Sequence, residues 1–204
     1  MIGLLSKQIK LNALALAFTA ALSGICAQAA EDQPDFMSTP TENEPTKGGQ
    51  VTAKSGVLNL QSPINSTVEF FNKTIALNNG TISVDARFSA NADPVQSHLG
   101  VIFNRIGSHT FWSLQINPSG KFMIARCVNN VYEYIHPSSV TPALKKGSMV
   151  WNALSIQIKD TNFKAFINGT EVYSGPYTFV AGGKIGLLSQ DPGSADFKNF
   201  KVTY

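Results

Sequence analysis

Apolar and polar side chains alternate along much of this chain. Ile82, Val84, Ala86 and Phe88 fall on one parity, with Ser83, Asp85 and Arg87 on the other, and Leu154, Ile156 and Ile158 alternate in the same way with Ser155, Gln157 and Lys159. Successive residues of a strand point to opposite faces, so each segment predicts a strand with one buried and one wet face. Antiparallel sheets packed on a core show that pattern. Helical period is nearly absent after residue 30, and the single helical turn expected lies around Ala143 to Lys146. Turn residues at Asn78-Asn79-Gly80, Asp93-Pro94, Asp160-Thr161-Asn162 and Asp191-Pro192-Gly193-Ser194 separate segments of strand length. About a dozen strands of roughly six to ten residues are therefore expected.

Two turns predict registers. In Ile167-Asn168-Gly169-Thr170 the central residues tolerate positive φ, so a two-residue hairpin should pair Ile167 with Thr170 and Ala165 with Val172. Asn117-Pro118-Ser119-Gly120 suits a type I turn followed by a left-handed glycine, closed by Asn117 and Lys121. Counting outward pairs Ile116 with Phe122, Leu114 with Ile124 and Trp112 with Arg126, which keeps the apolar residues on one face. Phe197 and Phe200 break a two-residue step, so a bulge near Lys198-Asn199 is expected to turn Phe197, Phe200, Val202 and Tyr204 inward.

The ends of the chain change the picture in another way. Lys7 and Lys10, an apolar stretch from Leu11 to Ile25 and Ala27-Gln28-Ala29 have the layout of a secretory signal peptide over residues 1–30. A periplasmic or secreted protein is the expectation. The stretch is shorter than the roughly 20 apolar residues of a spanning helix. Leu22-Ser23-Gly24-Ile25-Cys26 approximates a lipobox, but Ile25 stands where a small residue belongs. Residues 31–48 carry five acids, one base and three prolines with only Phe36 and Met37 as large apolar residues, and read as a disordered acidic linker. Residues 49–204 then form a single domain with thirteen bases against eight acids, a formal +5. These bases are scattered, with no run denser than Lys145-Lys146, which argues against nucleic acid as a partner. After cleavage Cys127 is the one remaining thiol, so no internal disulfide is expected.

Candidate metal chemistry is thin. His98, His109, His136 and Cys127 show no ligand spacing, and Asp191 to Asp196 lacks the dense acidic loop of a calcium site. No metal or cofactor is expected. Cys127 reads as a small buried thiol rather than a nucleophile.

Seven segments taken in order resemble the concanavalin A-like lectin/glucanase jelly roll. They are Gly80 to Phe88, Gly100 to Arg105, Phe111 to Ile116, Trp151-Asn152, Phe166 to Val172, Gly183 to Leu187 and Asp196 to Val202. Within that superfamily they are similar to laminin-G-like domains and to the 3-keto-disaccharide hydrolase (DUF1080) family. The resemblance implies an all-β, two-sheet antiparallel sandwich whose concave outer face commonly takes carbohydrate in relatives. The Glu-x-Asp-x-Glu and Glu-x-Asp-x-x-Glu motifs of related glycosidases are missing here.

Candidate ligand-binding residues are Arg105, Trp112, Arg126, Tyr132, Tyr134 and His136. Trp112 opposite Arg126 offers an aromatic face with a cation beside it, or else a core tryptophan under a snorkelling arginine. Tyr132, Tyr134 and His136 alternate, so their rings are expected to line one face, either paving a groove or packing structurally with their polar tips in solvent. Arg105 closes a Phe-Asn-Arg strand end and reads first as an ordinary solvated charge, or else as the groove arginine that some relatives keep there. No catalytic residue is expected. The reading is a glycan-binding module without turnover that takes a glycan or another polar ligand. Its alternatives are a glycoside-cleaving enzyme, with Glu133 and Asp85 the least implausible acids, and a cell-envelope module with a protein partner.

Overall fold

The computed structural model describes residues 31–32, 41–45, 49–107, 110–129, 131–178 and 183–204, and the predicted leader lies outside them. In chain order the strands are β1 (Glu31–Asp32), β2 (Thr41–Pro45), β3 (Gln50–Lys54), β4 (Val57–Ser62), β5 (Thr67–Ala76), β6 (Gly80–Phe88), β7 (His98–Ile106) and β8 (Thr110–Ile116). They continue with β9 (Lys121–Val128), β10 (Val131–Val140), β11 (Asn152–Lys159), β12 (Asn162–Ile167), β13 (Thr170–Pro176), β14 (Lys184–Gln190) and β15 (Gly193–Thr203). No helix forms among the described residues, and the turn expected near Ala143 is a single one in which Leu144 N–H donates to the Thr141 carbonyl.

All pairings are antiparallel. Sheet A has the order β13-β12-β11-β6-β15-β4-β3, with β1 added alongside β15, and sheet B the order β10-β9-β8-β7-β14-β5-β2. The segment read as a linker thus supplies a short strand to each sheet: β1 pairs with β15, and β2 lies in register with β5.

The core fills the space between the sheets. From sheet A come Ile82, Val84, Ala86 and Phe88, Leu154, Ile156 and Ile158, and Phe197, Phe200 and Val202. Sheet B contributes Val68, Phe70, Leu99, Val101, Phe103, Trp112, Leu114, Ile116, Phe122 and Ile124. The alternating parity seen in the sequence is the inward parity of these strands. A shift in register between Lys198 and Lys201, with Asn199 at φ 54°, is the expected bulge in β15. Tyr204 departs from expectation and is exposed, because β15 ends at Thr203.

Both hairpins form. Ile116 pairs with Phe122, Leu114 with Ile124 and Trp112 with Arg126. Gly120 is left-handed at φ 92°, and Asn117 Oδ1 accepts from the Lys121 backbone and the Ser119 hydroxyl. At Asn168-Gly169 Ile167 pairs with Thr170, but a bulge shifts Ala165 opposite Tyr173 instead of Val172. Turn chemistry fixes the first pair of a hairpin, and an extra residue in one strand displaces the rest.

Asn152 explains the Trp-Asn opening of β11. This amide is 2% exposed; its Oδ1 accepts from Lys145 N–H and from the Asn168 side chain, and its Nδ2 donates to the Lys145 carbonyl. It ties the loop before β11 to the β12–β13 hairpin. Asn152→Ala is expected to cost about 1–3 kcal/mol, because buried groups lose their partners, as measured by urea unfolding.

Candidate functional site

The site residues follow from one irregularity in β7. Uninterrupted alternation would put Phe103 and Arg105 on the same face. Asn104 instead adopts φ 53°, and the pairing with β8 shifts between Phe103–Trp112 and Ile106–Thr110. Asparagine is among the few residues that tolerate this conformation. Its side chain donates to the Thr178 carbonyl, and Gly183 packs against it so closely that an added Cβ would strike the Asn104 side chain and backbone. Phe103 therefore enters the core, while Arg105 emerges on the outer face of sheet B.

There Arg105 is buried with its guanidinium 3.7 Å above the centre of the Phe71 ring and 3.6 Å from the Glu69 carboxylate. Phe71 belongs to a second apolar cluster with Ile102, Phe111, Cys127 and Leu188. The register makes this the outer face: Phe71 pairs with Gly186, Gly186 with Ile102, Ile102 with Ser113 and Ser113 with Ala125. In the next row Glu69 pairs with Leu188, Leu188 with Gly100 and Gly100 with Gln115.

Polar groups interrupt this buried apolar layer. Gln115 Nε2 donates to Ser113 Oγ at 2.9 Å, and Gln115 Oε1, buried, accepts no hydrogen bond among the described residues. On the edge strand β10, Tyr132 and Tyr134 pair with Cys127 and Ala125 and so continue the same face. They are 42% and 58% exposed. Tyr132 meets Phe111 edge-on with ring centres 6.0 Å apart. Burial, followed by the neighbouring Cys127, raises the Tyr132 pKa, so the phenol stays a neutral hydrogen-bond donor.

The other three predicted residues lie on the opposite side of sheet B. Trp112 is 6% exposed and faces the core, its ring 5.6 Å from Phe163 and 5.7 Å from Tyr177 between centres. Arg126 lies over it at 5.8 Å and pairs with Glu133 at 3.3 Å. This is the snorkelling arrangement, at the border of a small cavity of about 240 Å³ shared with Asn104 and Thr178. His136 does not share a face with the tyrosines. A register shift between Tyr134 and His136 turns it to the inner side, where it stacks on Phe122 at 4.7 Å and hydrogen-bonds Ser139.

Glu69, Phe71, Ser113 and Gln115 were not foreseen. Their signal was the double apolar parity of β5, β7 and β8, where residues of both parities are buried. A strand covered on one face alone does not show it.

The eight acids of residues 49–204 can each be placed. Glu69 lies on the face just described. Asp85, Glu171 and Asp196 belong to strands of sheet A, Glu133 pairs with Arg126, and Asp93, Asp160 and Asp191 stand in turns. Glu133 and Asp85 thus belong to different sheets. No group of three metal-ligating side chains occurs among the described residues, and His109 lies outside them. Asp191 accepts from Asn65 N–H, while Asp196 is held by Asn59 and Arg87.

No protein-family model matches the chain, and no curated protein matches it. Solved structures do. The carbohydrate-binding module CBM66 from Bacillus subtilis superposes with a TM-score of 0.63 at 14% identity, over 80% of this chain and 95% of that one. A prokaryotic β-1,3-1,4-glucanase (lichenase) derived from a mouse hindgut metagenome gives 0.59 at 14% identity, over 86% and 98%. A native glycosidic hydrolase gives 0.57 at 15%, over 80% and 89%. The fold is the concanavalin A-like jelly roll. At such identities the likeness is one of fold, and this jelly roll carries chemistry only through its own side chains.

Proposed function

We propose that this jelly roll binds glycan on the outer face of sheet B without cleaving it. The observation that carries the reading is the Tyr132–Tyr134 rim, exposed at the edge of that face beside the buried Arg105–Phe71 stack and Ser113–Gln115 pair. A sugar ring presents apolar C–H surface to aromatic faces and hydroxyl groups to amides, arginine and phenols. The carbohydrate-binding module and glycosidases among the structural neighbours support the same ligand class. Export by the N-terminal leader, finer kinship with laminin-G-like or DUF1080 domains, and a bacterial periplasmic or extracellular setting belong to this proposal.

Absence of turnover follows from the carboxylates. Glycoside hydrolysis by the common routes places two carboxyl groups about 5–9.5 Å apart across the bond. Glu69 is the carboxylate that the described side chains bring to the centre of this face, and Arg105 pairs with it.

Affinity electrophoresis of the secreted protein through gels containing soluble polysaccharides tests the reading. Retention without release of reducing ends is expected. Tyr134→Ala, at an exposed rim position, should weaken retention about tenfold, the scale of one lost aromatic contact of about 1–1.5 kcal/mol. Reducing-end release that Glu69→Gln abolishes would replace this reading with a hydrolase.

A further inference from the structure

The opposite face of the molecule carries a second hollow. On sheet A the outward parity of the central strands is small: Ser83 pairs with Ser155, and Asp85 pairs with Ala153. Larger side chains border this floor. Phe166, directed outward between the inward Ala165 and Ile167, pairs with Ser155 from one side, and Lys201 pairs with Ser83 from the other. The result is an open trough of about 480 Å³, inside the roughly 300–1,000 Å³ range of small-ligand sites.

The β15 bulge organises its chemistry. Left-handed Asn199 turns its amide toward Asp85 and donates Nδ2 to Asp85 Oδ2 at 2.7 Å. A carboxylate accepts about four hydrogen bonds, so this one contact orients Asp85 and leaves most of its capacity for a ligand. The Ser83 and Ser155 hydroxyls each donate and accept, and Lys201 donates. Phe166, half-buried, supplies a ring at the margin. Donors and acceptors interleaved beside an aromatic ring fit a neutral polyol. The Asp85 carboxylate disfavours an anionic ligand, and a single lysine among hydroxyls is a poor cradle for phosphate.

We infer that this trough is a second saccharide site, taking one neutral sugar residue of a polysaccharide on sheet A, independent of the face of sheet B. Two sites on opposite sheets cannot grip adjacent units of one short stretch of chain. They would bridge separate glycan strands, with the gain in avidity that linked sites give.

Amide-resolved NMR titration of the secreted protein separates the two faces. The probes are hexasaccharides of β-1,3-glucan, mixed-linkage β-1,3-1,4-glucan, β-2,6-fructan and α-1,4-glucan. At least one is expected to shift the amides of Ser83, Ser155 and Gly169, which line or border the trough. Phe166→Ala and Asp85→Asn should each weaken that response at least tenfold, with the spectrum otherwise native. Shifts at Gly100, Ser113 and Gly186 report sheet B separately and decide the preceding proposal alone. The inference is overturned if no probe moves the trough amides, or if their shifts survive both substitutions.

Discussion

Trp112→Ala will lower stability by about 3–5 kcal/mol, the usual loss for truncating a buried tryptophan. The ring is enclosed by Phe103, Phe163 and Tyr177, with centroid distances of 6.3, 5.6 and 5.7 Å, so several neighbours lose contact at once. Those partners come from β7, β12 and the segment after β13, which limits how far they can collapse into the void. In a domain of this size each kcal/mol shifts the midpoint by about 2–4 °C, so thermal unfolding should fall by about 6–20 °C. Glycan retention measured well below the new midpoint should stay within about twofold of wild type, because the indole faces the other sheet. A folded variant that has lost retention tenfold or more would return Trp112 to the binding surface.

The contrast between Trp112 and Arg105 shows how much the sequence could carry. Trp112 shares parity with Leu114 and Ile116, and the Asn117–Gly120 turn fixes the first pair, which β8 and β9 carry out to Trp112 without a register shift. Its inward direction was therefore readable, and only its use remained open between core and platform. Arg105 has the parity of Phe103, and reading its emergence required knowing that Asn104 is left-handed. The chain offers many asparagines, and those at 65, 104, 129, 168 and 199 adopt positive φ while Asn152 does not. Which of them bulges is decided by neighbours distant in sequence, such as Gly183 against Asn104.

The same limit appears in β10. Tyr132, Tyr134 and His136 look like one face, and a bulge divides them, for which Pro137 is a signal of irregularity but not of its position. Strand content, the inner parity and the first pair of each hairpin are local properties and were legible. The outer face of sheet B was not, since Phe71, Ile102 and Phe111 read as core until the sheet order separates them from the first cluster.

Arg105→Met is the substitution that tests whether that face is built as described. Methionine keeps much of the stem's length but removes the charge, the five donors and the planar stack on Phe71. The Glu69 carboxylate, only 12% exposed, then loses its arginine. Removing one member of a buried pair costs about 3–5 kcal/mol, because the remaining charge stays desolvated. Urea unfolding at pH 7 should show a loss of that size. The double variant Arg105→Met with Glu69→Gln should recover part of the stability at pH 7, since the poorly exposed carboxylate that faced Arg105 is removed with it. Glycan retention should not recover with it, because the Arg105–Phe71 stack that supports the face behind the tyrosine rim is still missing. Recovery of both would make the ion pair purely structural and move the binding surface elsewhere. A single variant as stable at pH 7 as wild type would mean that solvent reaches Glu69 freely.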